Sequence, residues 1–261
     1  DDFIFTNIIG TFNLLKSVLK YFRNLDSEKK EIFKLIHIST DEVFGSLDKD
    51  PNISFDEDSA YDPNSPYSAS KASSDHLVKA WGNTYKLPVI VTNCSNNYGP
   101  WQFPEKLIPL TITNALNNKN IPIFGNGENI RDWLYVEDHI NALLLVSEKG
   151  MNGKTYCIGA REEKTNKEIV ENICEILDNL VPKNCSYKNL IKFVKDRPGH
   201  DFRYSINPSL IREELGWEVK HSFKKALEST IIWYLENQEW CKKTLKKSGY
   251  NGERLGLIDL K

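Results

Sequence analysis

Tyr67 and Lys71 stand four residues apart in Tyr67-Ser68-Ala69-Ser70-Lys71. On a helix that spacing puts both side chains on one face, one turn apart. An ammonium beside a phenol stabilises the phenolate, so the tyrosine pKa is expected to fall toward a useful range. Such a tyrosine takes the proton from a hydroxyl while hydride leaves the same carbon. The pattern alone is short and recurs by chance on solvated helices. A second cluster, Ser39-Thr40-Asp41-Glu42, lies upstream of it. The Thr40 hydroxyl suits a hydrogen bond to a substrate hydroxyl. Asp41 and Glu42 supply two carboxyl groups, for which the plain alternative is a solvated acidic turn. In a partly dry cleft, adjacent carboxyls are pushed apart in pKa, leaving one as acid and one as base.

These residues need strands and helices to hold them. Asp1 to Lys20 reads as a helix, with Ile4, Ile8, Leu15, Val18 and Leu19 along one side. Ile32 to Ile38 reads as a buried strand ending at the acidic cluster. A polar loop with Pro51, Pro63 and Pro66 leads to a helix from Tyr67 to Tyr85. A strand at Pro88–Val91 ends in Asn93-Cys94-Ser95-Asn96-Asn97-Tyr98-Gly99-Pro100. Further strands are expected at Ile121–Phe124, Ile130–Tyr135, Thr155–Ile158 and Ile191–Val194. Further helices are expected at Lys106–Asn117 and Val136–Ser147. Another runs from an Asn166 cap to Leu180, supported by Glu168 near its start. A short one opens at Pro208 and stops at Gly216, and the last runs from Phe223 to Leu235. Gly125-Asn126-Gly127 reads as a turn. Alternating strands and helices predict an α/β fold with a parallel sheet covered on both faces. Ligands then sit beyond the carboxyl ends of the strands, where both polar clusters lie.

The formal net charge of the 261 residues is -2. That argues against a general nucleic-acid or membrane-surface binder. Cys94, Cys157, Cys174, Cys185 and Cys241 form no CxxC pair, which suits a reducing compartment. No apolar run is long enough to cross a bilayer. His37 and His76 read as packing or surface residues, since no second metal ligand stands at helical spacing. Trp233, Tyr234 and Trp240 read as packing for the last helix.

Long stretches in register resemble the dTDP-glucose 4,6-dehydratases, of the NAD-dependent epimerase/dehydratase group of extended short-chain dehydrogenases/reductases. They are Ile38 to Gly45, Ser65 to His76, Asn93 to Pro100, Phe103 to Pro109, Arg131 to His139 and Asp196 to Asp201. The resemblance implies a cytoplasmic enzyme with a Rossmann-type parallel sheet and a smaller α/β substrate-binding domain. Residues 1–98 would be the C-terminal part of the NAD-binding domain. Residues 99–261 would be mainly the nucleotide-sugar domain, with segments returning to the first.

The reaction implied has three steps. NAD+ takes hydride from sugar C4 while Tyr67 takes the hydroxyl proton, with Thr40 positioning that hydroxyl. Glu42 removes the C5 proton and Asp41 protonates the departing C6 hydroxyl. Hydride then returns to C6. By the same resemblance Thr6, Tyr67, Lys71 and Asn97 touch the cofactor. Thr40, Asn96, Lys106, Leu107, Ile108, Arg131, Asn166, Asp196, Arg197 and His200 surround the nucleotide sugar, with Pro122, Ile123 and Phe124 beside the nucleobase. Phe124 stands where the family usually has tyrosine, so its ring still stacks but offers the base no hydroxyl. Guanidinium groups at Arg131 and Arg197 suit a diphosphate, the alternative being surface ion pairs with Asp132 and Asp196. The resemblance implies no metal. It does imply a homodimer, joined through a helix bundle that includes the Tyr67 helix.

One expected part is not in this sequence. A Rossmann domain holds its pyrophosphate on a G-x-G-x-x-G-type turn, and the glycines at 10, 45, 82 and 99 do not supply one. The expectation is therefore an N-terminally truncated chain that binds NAD+ poorly by itself. The alternatives are a UDP-glucose 4,6-dehydratase, another nucleotide-sugar epimerase or decarboxylase, and a non-catalytic fragment or binding subunit. The Asp41–Glu42 pair favours elimination, which needs an acid and a base that epimerisation does not.

Overall fold

The computed structural model describes residues 2–249. Asp1, the expected start of the first helix, lies outside them. The opening segment is helical but not uniformly α. Ile4–Gly10 forms a π-helical stretch that runs into α1, Thr11–Arg23. Of the apolar side expected there, Leu15 and Leu19 are buried, whereas Ile4 is exposed. A short helix α2, Ser27–Ile32, follows, with the Asp26 carboxylate accepting from the Lys29 N–H. It takes up Ile32, whose branched side chain suggests a strand but is 79% exposed.

The first strand is therefore shifted. β1 runs Leu35–Thr40 and pairs in parallel with β2, Val89–Cys94, from Leu35 opposite Val89 to Thr40 opposite Cys94. β6, Thr155–Ile158, joins the other edge of β2, also in parallel. β2 is buried on both faces over Val89–Asn93, as a central parallel strand should be. α3, Pro66–Tyr85, packs on this sheet together with α1. Leu15, Val78, Leu87, Val89 and Val91 form the core between them.

Two smaller sheets complete the strands of the described residues. β3 (Asn96–Tyr98) pairs in parallel with β5 (Ile130–Tyr135), which pairs antiparallel with β7 (Glu163–Thr165). β4 (Ile121–Phe124) pairs in parallel with β8 (Ile191–Val194). α4 (Leu107–Leu116), α6 (Asn166–Leu180) and α8 (Phe223–Glu236) enclose the largest core around Ile112, Ile173 and Ile231. α5 (Val136–Lys149) and α7 (Ser209–Leu215) cover the first sheet near Trp217.

Further local details differ from expectation. The cap of α6 is Thr165 rather than Asn166, because Thr165 and Glu168 exchange side-chain and backbone bonds as a capping box. The sequence pattern predicts no helix after the one at Phe223, yet α9, Gln238–Ser248, is present. Trp240 on α9 packs with Trp233 and Trp101. No described helix is long and apolar enough to cross a membrane.

Candidate active site

The carboxyl end of β1 makes an abrupt stop. The Thr40 hydroxyl accepts from the Glu42 N–H at 3.3 Å and caps a 3-10 turn, Asp41–Phe44. Gly45 closes the turn with φ +88, and a Cβ there would lie 2.4 Å from the Asp62 carbonyl oxygen. Only glycine satisfies both conditions. This turn presents Asp41, which is buried, and Glu42, which is partly exposed. Thr40 Oγ1 also donates to Asp41 Oδ1 at 3.2 Å, while Asp41 Oδ2 is buried without a partner.

α3 brings the second cluster. Ser65 and Ser68 form a capping box, and Pro66 occupies the first helical turn, so the helix starts immediately before Tyr67. Lys71 reaches across to β1, where its Nζ donates to the Ile38 carbonyl at 2.9 Å. That contact ties the helix face carrying Tyr67 to the strand that leads into Asp41 and Glu42.

The expected electrostatics are half met. Burial, then the neighbouring Glu42 and Asp132 charges, hold Asp41 well above the ordinary carboxylate range. Burial also raises Glu42, but Arg131 and Arg197 pull it back. The two carboxyls are thus separated, with Asp41 the stronger proton holder. Tyr67 contradicts the expectation. Burial and then the Glu42, Cys94 and Asp41 charges raise its pKa, and Lys71 spends its ammonium on the Ile38 carbonyl. Burial lowers Lys71 as well, against the Asp75 charge. These neighbours therefore favour the protonated phenol.

Around the carboxyls stand the expected cations. Arg131 is 5% exposed and forms no ion pair with Asp132. Its guanidinium donates to the carbonyls of Ile130 at 2.7 Å, Asp201 at 2.9 Å and Phe202 at 3.3 Å. It also stacks over Tyr204 at 4.4 Å. Three of its N–H donors are used, so two of the five that a guanidinium carries remain for an anion. Arg197 is exposed, and it meets Asp196 through its backbone N–H, not through its guanidinium. Asp196 instead accepts from His200 Nδ1 at 2.7 Å. Lys106, exposed at the start of α4, contributes charge near Glu42.

Asn97 is firmly oriented. Its Nδ2 donates to the Ser95 carbonyl at 3.0 Å, and its Oδ1 meets His139 Nδ1 at 2.8 Å. Burial lowers the His139 pKa to about 4, so the ring is neutral and Nδ1–H is the donor. Asn96 Oδ1 is buried without a partner. Thr6 is exposed on the π-helical stretch. Pro122 and Phe124 are half-buried on β4, and Asn166 and Leu107 are half-buried at helix starts. Ile108 and Ile123 are buried in the core, so a ligand there would meet backbone and not their side chains.

Several residues at this site carry no motif of their own. Tyr204 lies beneath Arg131 and is raised by burial and by Glu42. Its hydroxyl donates to Asp201, whose other oxygen accepts from Asn64 Nδ2 at 2.8 Å, just before α3 begins. Asp132 is fully buried with Oδ2 unpartnered, and burial raises it to about 6. Asp132 and Asp201 stand inside the stretches that carry the family resemblance, which was the available signal. Tyr204 lies just outside them.

Residues 1–230 match the family described as GDP-mannose 4,6 dehydratase. A probable dTDP-glucose 4,6-dehydratase of Sinorhizobium fredii is 52% identical over 259 residues, covering 99% of this chain and 73% of that one. The crystal structure of dTDP-glucose 4,6-dehydratase from Bacillus anthracis, in complex with NAD, superposes with a TM-score of 0.82 at 48% identity. It covers 94% of this chain and 73% of that one. DesIV, a dTDP-glucose 4,6-dehydratase from Streptomyces venezuelae with NAD and TYD bound, gives 0.81 at 40% identity, over 92% of this chain and 68% of that one.

Proposed function

As the chain belongs to the dTDP-glucose 4,6-dehydratase family, we propose that it removes water from dTDP-glucose to give the 4-keto-6-deoxy sugar, with NAD as cofactor. The observation that carries this reading is the Asp41–Glu42 pair, placed on one turn beside Tyr67 with unequal hold on a proton. An epimerase needs no such pair.

The residues fit the nicotinamide end of the cofactor. Tyr67 and Lys71 share one helix face, Asn97 is held rigid by His139, and Asn96 keeps a buried oxygen in want of a donor. With Thr6 they would hold that end; the glycine-rich diphosphate turn is not among these residues. When bound, oxidised nicotinamide supplies the hydride acceptor and a positive charge that favours phenolate.

Tyr67 then takes the C4 hydroxyl proton while Thr40 orients that hydroxyl. The ketone so formed acidifies the C5 hydrogen. Glu42, kept closer to ionisation by Arg131 and Arg197, removes it. Asp41, kept protonated by burial, gives its proton to the leaving C6 hydroxyl, and the hydride taken from C4 would then return to C6 as a proton returns to C5. Arg131 and Arg197 hold the diphosphate, with Lys106, Asn166, Asp196 and His200 around it. Pro122 and Phe124, with the backbone at Ile123, face the base, and Asn96, Leu107 and the backbone at Ile108 line the sugar.

Exposed apolar residues mark the first helix, among them Phe5, Ile9, Phe12, Leu14 and Tyr21. We propose that this helix and α3 form a homodimer interface. The five cysteines are unpaired, which fits the cytoplasm as the compartment proposed.

Turnover of dTDP-glucose against UDP-glucose, at NAD concentrations shown by calorimetry to saturate the protein, tests the reading. Faster formation of a 4-keto-6-deoxy sugar from dTDP-glucose is expected. A preference for UDP-glucose would overturn the nucleotide assignment, and no keto sugar from either would overturn the dehydratase.

A further inference from the structure

The last three carbonyls of β1 are each taken by a side chain. Lys71 Nζ holds Ile38, Cys94 Sγ holds Ser39 at 3.3 Å, and Asn93 Nδ2 holds Thr40 at 3.0 Å. The third bond sits on the peptide that leads directly into Asp41. Asn93 is 0% exposed, on β2, the neighbouring strand. Its Nδ2 also donates to Asp75 Oδ2 on α3 at 3.1 Å. Asp75, likewise 0% exposed, accepts from the Tyr61 hydroxyl at 2.9 Å through the same oxygen. Lys79 Nζ meets that hydroxyl at 3.3 Å. His37 Nε2 stands 3.0 Å from Asp75 Oδ1, but its aligned bond is to Ser74 Oγ at 3.2 Å.

A buried relay therefore runs from α3, through Asp75 and Asn93, to the Thr40–Asp41 peptide. An amide is the one group of this size that donates to both ends at once. A carboxylate in its place would face the Asp75 carboxylate and the Thr40 carbonyl with no proton for either. The capping box and the Ile38 contact set the helix of Tyr67 and Lys71, so their placement does not hang on Asn93, while the Asp75 charge that favours the Lys71 ammonium is kept in Asn93→Ala.

Resting on the dehydration reading above, we infer that Asn93, braced by Asp75, is a positioning residue that fixes the turn carrying Asp41 and Glu42, and so governs elimination more than C4 oxidation. Removing it leaves the Thr40 carbonyl without its donor and lets the Asp41–Glu42 turn drift. A displacement of about an ångström costs roughly a hundredfold in rate.

The test uses the NAD-loaded protein, its Asn93→Ala variant and the swapped pair Asp75→Asn with Asn93→Asp. In the swap, the new amide on α3 donates to the new carboxylate on β2, which restores the bond between helix and strand, but nothing donates to Thr40. Three quantities are read: the near-ultraviolet absorbance of reduced nicotinamide, uptake of solvent deuterium at C5, and the melting temperature. The inference expects Asn93→Ala to accumulate reduced nicotinamide, with C5 exchange slowed about a hundredfold and oxidation changed only a few-fold. It expects the swap to recover melting temperature and not C5 exchange. Recovery of both in the swap, or equal slowing of both steps in Asn93→Ala, overturns it. An unsubstituted, NAD-loaded protein that forms no keto sugar from dTDP-glucose overturns the dehydration reading itself, and this inference with it.

Discussion

Asp41 and Glu42 carry the chemistry at the scale of single residues. Glu42→Gln keeps the shape but cannot take a proton. It should slow loss of the C5 hydrogen by about 10²–10⁴-fold and leave C4 oxidation nearly intact. Stopped-flow absorbance of reduced nicotinamide checks this, and loss of both steps together would contradict the role. A second prediction concerns Asp132, raised from 3.8 to about 6 by burial. A carboxyl raised on folding binds its proton more tightly when folded. Its stabilising effect is complete below the unfolded value and is lost as pH rises through about 6. Asp132→Asn should therefore be about 3 kcal/mol more stable than the parent at neutral pH, with the gain vanishing at acid pH. Urea unfolding at the two pH values measures it, and a gain independent of pH would point to packing instead. His139 has the opposite sign, being lowered to about 4, and is common to both proteins. The sequence showed which residues stand together in register. It did not show that Lys71 is occupied by the Ile38 carbonyl, because that contact depends on how α3 lies against β1.

Elements with their own signature were legible. β4, β5, β6 and β8 have the bounds that apolar runs and flanking turns predict. The misses share a cause. α2 is six residues long, with no buried side chain and therefore no apolar stripe to read. α9 buries only Cys241 and is mostly polar, so no apolar run marks it. The apolar pattern sets β1 too early because its last residues, Ser39 and Thr40, are polar, and its tertiary setting outweighs that composition. The turn after β1 gives the sharpest prediction at this scale. Gly45→Ala meets both a positive φ and the Asp62 carbonyl oxygen. It should destabilise by more than the ~1–3 kcal/mol of backbone strain alone and slow elimination by displacing the same turn. Thr165→Ala, outside that turn, should cost about 1 kcal/mol by removing the α6 cap, with any effect on activity falling on KM through the adjacent Asn166 and not on kcat. Denaturant midpoints together with kcat separate the two cases.

For the whole molecule, what matters is how α3 joins the parts. One end of α3 meets β1 through Lys71. The residue before its cap, Asn64, meets Asp201 and, through it, Tyr204 and Arg131. Residues that would bind diphosphate are thus mechanically linked to the helix that carries Tyr67. The same helix packs against α1, which carries exposed apolar residues. Leu14 is 55% exposed on α1, and Leu14→Glu should convert a dimer to a monomer in sedimentation velocity. An unchanged sedimentation coefficient would remove α1 from the interface. The central claim, internal oxidation and return of one hydrogen with loss of water, is tested most directly by following that hydrogen. With saturating NAD and dTDP-glucose deuterated at C4, NMR of the product should show a 4-keto-6-deoxy sugar carrying the label at C6. A label that returns to C4 with inversion, or a sugar that never loses water, would contradict the claim.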